Sequence, residues 1–148
     1  MDKPHTAVEL FNSGYNCSQS VLTAFAEPYG LARETALKMA SGFGGGMGGT
    51  GGVCGALTGA CMALGLAFGP SVPGDKSAKA EMYRQIRLLS EEFKSRTGAL
   101  MCRDLLGFDV STPAGQLAAK QPGAFDKCGE FVRVAAEIVD KMLMAGGK

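Results

Sequence analysis

The sequence predicts an all-α protein, a compact bundle of about six to eight helices with a glycine-rich loop before a buried central helix. Three observations support this class. Apolar residues recur at helical spacing, capping residues and prolines stand where such segments begin, and no segment alternates apolar with polar residues. The 148 residues suit one domain, 1–148, because a chain of this length can bury a sufficient core without cross-links.

Three helices are predicted before the glycine-rich loop. The first runs over 4–13, because proline suits the first turn of a helix and a glycine follows the last one. Asn16 and Gln19 form a capping-box pattern that opens the second helix, which Pro28 ends. A short third helix is predicted over 32–40.

The glycine-rich segment, residues 41–52, leads into an apolar helix over 53–68. Such a run frees backbone N–H groups but costs much conformational entropy, so its order needs a compensating reason. The apolar helix is about as short as a membrane span can be and is dominated by glycine and alanine. We therefore expect a buried helix of a water-soluble bundle and no membrane insertion.

Further helices are predicted in the second half of the chain. The strongest covers 76–96, where apolar residues form one face and charged residues the other. A short helix begins at Cys102, and Thr112, followed by proline, is typical of a cap and first turn. The last helix covers 128–144, with Asp126 as its predicted cap.

The net charge is +1, and basic and acidic residues are scattered along the chain. A nucleic-acid-binding surface would need a basic face or stripe, so no nucleic-acid partner is expected. Residues 1–5 contain no apolar run, so we expect no secretory signal and a cytoplasmic location. In that reducing compartment, widely spaced cysteines are more often metal ligands or redox groups than structural disulfides.

Four of the five cysteines stand where helices are predicted to begin. These are Cys17, Cys54, Cys102 and Cys128. The start of a helix carries unpaired N–H groups and the positive end of the macrodipole, which favour thiolate over thiol. Cys54 would lie a turn inside its helix if Thr50 caps that helix. The fifth cysteine, Cys61, is expected to be a core residue.

If folding brings the four helix-start cysteines together, their charges must be compensated, because neighbouring thiolates disfavour one another. The thiols can stay protonated, pair as disulfides, or bind a cation in a zinc site or an iron–sulfur cluster. Their spacing lacks the C-x-x-C pairs of zinc ribbons, ferredoxins and thioredoxin-like proteins. We therefore favour thiol–disulfide exchange or electron transfer with an unidentified redox partner and no required cofactor. A non-enzymatic metal-binding module is the alternative.

The glycine-rich segment formally contains a dinucleotide-binding pattern at residues 44–49, but no strand precedes it and no phosphate-binding lysine follows. Close backbone approach to a helix, a small anion or a cluster is the better explanation. Gly52, Gly55 and Gly59 are the candidate positions for contact with a cofactor. The Gly55-xxx-Gly59 spacing also suits close helix packing, so an assembly domain that forms homo-oligomers is a third hypothesis.

Four blocks of the sequence together resemble the C_GCAxxG_C_C family, which is named for its cysteine pattern. They are GYNCSQ at 14–19, the glycine run leading into CGALTG at 54–59, and the cysteines at 102 and 128. The resemblance extends from about Ala7 to Met142. It implies a small helical protein whose four motif cysteines are redox-active, and these map to Cys17, Cys54, Cys102 and Cys128. Cys61 falls outside the pattern, in agreement with its interpretation as a core residue.

Overall fold

The predicted all-α class is confirmed in the computed structural model, which describes residues 2–146. This part of the chain forms eight α-helices and contains no β-strand. The helices are α1 Lys3–Asn12, α2 Cys17–Ala26, α3 Arg33–Ala40, α4 Gly55–Phe68, α5 Lys76–Thr97, α6 Cys102–Leu106, α7 Pro113–Ala119 and α8 Asp126–Gly146. Short 3-10 turns, Glu27–Tyr29 and Ser41–Phe43, follow α2 and α3.

Side-chain caps fix the starts of α2 and α7 as the sequence predicts. The Asn16 side chain accepts a hydrogen bond from the Gln19 N–H at 2.9 Å, and the Gln19 side chain accepts one from the Asn16 N–H at 3.0 Å. The hydroxyl of Thr112 accepts a hydrogen bond from the Gly115 N–H at 2.9 Å. Both caps satisfy N–H groups that a helix start otherwise leaves without a partner.

Two predicted helix starts are wrong by about one half-turn. The apolar helix α4 begins at Gly55 rather than at residue 53, because the preceding residues pair with a distant segment described below. The last helix begins at Asp126 itself, so Asp126 is a residue of the first turn and not the cap. A carboxylate in that position still interacts favourably with the positive end of the helix.

The core lies between α2, α4 and α8, which all pack against one another. Helix α1 covers α2 and α8, α5 covers α4 and α8, and α3 covers α2. The apolar helix α4 belongs to the core as predicted, but α2 is buried along more of its length, with eight of its ten residues buried. Large buried side chains such as Phe25, Phe93 and Ile138 fill the space between these helices.

Two glycines allow α4 to approach α2 closely. An ideal Cβ atom on Gly59 would lie only 2.6 Å from the carbonyl oxygen of Ser18, and one on Gly55 would lie 3.2 Å from the Ser18 nitrogen. Both glycines are buried. The Gly55-xxx-Gly59 spacing therefore serves packing within the chain, and this face of α4 is covered rather than open to a second subunit.

Among the residues that the structure describes, none of the helices combines the length and the hydrophobicity that a bilayer crossing needs.

The contact between α4 and α2 predicts the effect of enlarging Gly59. We expect Gly59→Ala to lower the free energy of unfolding by ~1–3 kcal/mol, because its methyl group would meet backbone atoms that cannot move away. The matched control is Gly65→Ala in the same helix, where an added Cβ meets no atom within 4 Å. That change should raise stability by up to ~1 kcal/mol, since alanine favours helix more than glycine does. Urea unfolding midpoints measure both effects, and equal midpoints for the two variants would contradict the packing described here.

Candidate functional site

A cavity of about 610 Å³ lies among the starts of α2, α4, α6 and α8 and beside the glycine-rich segment. All four cysteines that the sequence places at helix starts contribute to its wall. These are Cys17, Cys54, Cys102 and Cys128. The cavity thus collects residues from nearly the full length of the chain, and each arrives by a separate local mechanism.

Cys17 is the first residue of α2 and is held from two sides. Its helix start is fixed by Asn16, whose side-chain amide also donates a hydrogen bond to the Ser41 carbonyl at 3.0 Å. On the other side, an ideal Cβ on Gly55 would lie 3.3 Å from the Cys17 Cβ. Cys17 therefore lies directly against the start of α4.

Cys54 and Cys102 are joined through their backbones. An isolated antiparallel β-bridge pairs the residue before Cys54 with the residue before Cys102. The Cys54 N–H donates to the Leu100 carbonyl at 2.8 Å, and the Cys102 N–H donates to the Gly52 carbonyl at 2.6 Å. The bridge fixes α4 and α6 relative to each other at their first residues. A single bridge gives no two-residue alternation, so the sequence carries no signal from which it could be predicted.

Cys128 lies in the first turn of α8, close to Cys17. A side-chain hydrogen bond between the two sulfurs lowers the pKa of Cys128, although burial acts in the opposite direction. The same hydrogen bond, followed by burial and by the charges of the other three cysteines, raises the pKa of Cys17 well above its ordinary value. The pair therefore favours one thiolate, on Cys128, stabilised by the protonated thiol of Cys17.

The other two cysteines of the cavity keep their protons at neutral pH. Burial raises the pKa of Cys54 to about 12, although N–H groups of the first turn of α4, on Ala56 and Leu57, act to lower it. Burial, with the neighbouring Cys128 and Asp109, raises the pKa of Cys102 to about 11. The expectation that helix starts make these thiols acidic is therefore wrong for them. Removal from water outweighs the partial charge of a helix start, which contributes about 1 kcal/mol or less.

The glycine-rich segment forms left-handed turns beside the cysteines. Every residue from 45 to 49 has a positive φ angle, including Met47 at 70°. The Thr50 hydroxyl donates to the Gly46 carbonyl at 2.6 Å, and Thr50 therefore does not cap the next helix. Cys54 itself occupies the cap position of α4, so the condition under which it would lie a turn inside the helix is not met. A right-handed helix cannot extend backwards into residues with left-handed backbone angles.

Gly46 is the point where this segment touches the rest of the site. An ideal Cβ on Gly46 would lie 2.5 Å from the Gly52 nitrogen and 2.8 Å from the Cys102 Cβ. Only a residue without a side chain permits both contacts at this positive φ angle. The compensating reason for an ordered glycine run is therefore close packing against Cys102 and against its own last turn.

The three glycines predicted to contact a cofactor lie in different surroundings. Gly55 belongs to the cavity wall. Gly52 makes backbone hydrogen bonds, donating to Gly46 at 2.9 Å and accepting from Cys102. Gly59 packs against Ser18 and does not line the cavity. Cofactor contact stays a prediction for these glycines, and the packing roles of Gly52 and Gly59 are the ones that the geometry supports.

Most of the remaining cavity wall is apolar, and the sequence did not identify these residues. They are Phe11, Leu105, Leu106, Val110, Ala119, Phe125 and Phe131. The residues that line the cavity include no Asp, Glu, Lys, Arg or His. These apolar side chains come from α1, α6, α7, α8 and the loops between them, so no single periodic pattern connects them.

The donor arrangement also bears on the metal hypothesis. Within residues 2–146, no three His, Cys, Asp or Glu side chains are arranged to ligate one metal ion. The four cavity cysteines therefore do not form a ligand set for zinc in this conformation, and no disulfide joins them. Cys61 lies outside the cavity, partly buried against the core, where burial raises its pKa to about 11.

Comparison with known proteins adds one finding. A search of curated proteins and a search of solved structures each returned no significant match. A family model described as "Putative redox-active protein (C_GCAxxG_C_C)" matches residues 15–142, a range that includes all four cavity cysteines. The match covers most of the chain, and the protein therefore belongs to the C_GCAxxG_C_C family.

Proposed function

We propose that this protein carries out thiol–disulfide exchange, with Cys17 and Cys128 as its redox pair. The observation that supports this most directly is that these two cysteines, from opposite ends of the chain, line one cavity and each acts on the pKa of the other. A disulfide between them requires their sulfur atoms to approach to ~2.05 Å. The family's description as redox-active agrees with this use of the cysteines.

In the first step, the Cys128 thiolate attacks one sulfur of a substrate disulfide. A mixed disulfide forms between Cys128 and that sulfur, and the other substrate sulfur leaves as a thiolate and takes up a proton. Cys17 then loses its proton and attacks the Cys128 sulfur, which releases the second substrate thiol. In total, two protein thiols become one disulfide, and two electrons and two protons pass to the substrate.

Cys54 and Cys102 have a different part in this proposal. Their raised pKa values keep them protonated at neutral pH, so they do not compete with Cys128 for the first attack. They line the same cavity as the reacting pair. The β-bridge between the residues before them fixes two parts of the cavity wall relative to each other.

The pairing predicts the product of mild oxidation. We expect oxidised protein to lose two thiols and to yield a peptide in which Cys17 is linked to Cys128, as measured by thiol titration and by mass spectrometry after proteolysis. Cys17→Ser and Cys128→Ser should each abolish this product, because each removes one member of the pair.

Cys61→Ser is the matched control, because Cys61 is a partly buried cysteine outside the cavity. This variant should lose the same number of thiols on oxidation and should yield the same linked peptide. An oxidised protein in which Cys17 and Cys128 remain free thiols would contradict the proposal.

The assigned thiolate predicts the order of alkylation. Cys128 should react first with iodoacetamide at pH 8, because a thiol of pKa about 11, such as Cys102, is then only roughly one-thousandth ionised. The alkylation rate of Cys128 should rise with pH and level off below pH 9, the ordinary pKa of a thiol, because the pKa of Cys128 is lowered. Site-resolved mass spectrometry against time gives the rates.

Removing the Cys17 thiol should slow the alkylation of Cys128. In Cys17→Ala, the Cys128 thiolate loses its donor while burial continues to raise its pKa, so its alkylation profile should move to higher pH. Cys61→Ala should leave the profile in place. If Cys128 reacts equally fast with and without Cys17, the pair does not share a proton as proposed.

A further inference from the structure

The cavity that contains the proposed redox pair is lined by cysteines and by apolar side chains. Four of its lining residues are cysteines, and most of the other lining side chains are apolar, including Phe11, Phe125 and Phe131. None of the lining residues carries a permanent charge at neutral pH. An anionic substrate group that entered this cavity would lose water and meet the Cys128 thiolate, and a cationic group would lose water with no lining carboxylate to compensate it.

The depth of the thiols restricts the size of the substrate. Cys54, Cys102 and Cys128 are only 5–8% exposed, whereas Cys17 is partly exposed. A disulfide on the surface of a folded protein cannot bring its sulfur atoms to Cys128 without burying part of its own backbone. A small molecule can reach them, because the cavity volume of about 610 Å³ lies within the range of small-ligand sites.

We propose that the substrate of this site is an uncharged disulfide of low molecular weight that binds inside the cavity. This inference rests on the thiol–disulfide exchange proposed above and specifies its substrate class. The apolar wall takes the carbon groups of the disulfide, and the cysteines receive its S–S bond. The substrate disulfide is reduced to two thiols while Cys17 and Cys128 are oxidised to one disulfide, so electrons and protons balance.

The first experiment compares three oxidants on the reduced wild-type protein. The probes are 2-hydroxyethyl disulfide, which is small and neutral, glutathione disulfide, which is anionic, and insulin, which is a protein disulfide. Loss of Cys17 and Cys128 thiols is followed by quenched mass spectrometry, and each rate is divided by that of a free dithiol with the same oxidant. We expect the neutral probe to exceed both others by roughly tenfold or more after this correction.

The second experiment changes the charge of the wall. Ala119 lines the cavity at the end of α7 and is only partly buried, so a lysine side chain can be placed there. Ala119→Lys should raise the rate with glutathione disulfide several-fold, because it supplies the missing counter-charge. The matched control is Ala114→Lys, on the exposed part of the same helix and outside the cavity, which should leave that rate unchanged. Circular dichroism checks that both variants fold.

The outcomes separate the two proposals. If no disulfide oxidises Cys17 and Cys128, thiol–disulfide exchange itself is wrong. If all three probes oxidise the pair with equal corrected rates, the proposal of thiol–disulfide exchange stands. The assignment of an uncharged small disulfide as the substrate is then wrong. A faster reaction with insulin than with the neutral probe would instead assign the site to protein disulfides. The wild-type comparison decides between these results even if the lysine variants do not fold.

Discussion

The site depends on one close contact, between the backbone of Gly46 and the side chain of Cys102. Because Gly46 has no side chain and a positive φ angle, the glycine-rich segment can fold back onto Gly52 and still leave room for Cys102. Gly52 in turn accepts the hydrogen bond that fixes the Cys102 backbone. A single added methyl group at position 46 would displace Gly52 and Cys102, and the cavity would lose one of its walls.

Two opposing electrostatic effects act on the cysteines, and their balance differs from site to site. Helix starts and N–H donors favour thiolate, whereas burial disfavours it. At Cys54, burial prevails even with two N–H donors from its own helix. At Cys128, the neighbouring thiol of Cys17 supplies a side-chain donor, and the balance is reversed. The protein thereby distinguishes one thiol among four of the same chemical type.

Burial is the main cause of the raised pKa of Cys54 and of Cys102, and both residues line the cavity that a substrate would enter under the proposed function. The wall of the cavity is mostly apolar, and an apolar wall disfavours the entry of charged groups. Under the proposed function, burial supplies the selectivity, and the Cys17 side chain supplies the reactivity by opposing the effect of burial on the pKa of Cys128. A more exposed cluster would be easier to ionise and would accept a wider range of partners.

The sequence by itself determined the all-α class, the caps at Asn16 and Thr112, and the four cysteines near helix starts, because these features depend on residues close in the chain. Only the tertiary structure decided that the cysteines meet in one cavity, that a β-bridge joins the residues before two of them, and that the pKa is lowered at Cys128 and raised at Cys54. Convergence depends on helix packing between distant segments, and the pKa of a thiol depends on burial and on neighbours from other helices. Neither quantity is encoded in local spacing, which is why the expectation of acidic thiols at every helix start was wrong for Cys54.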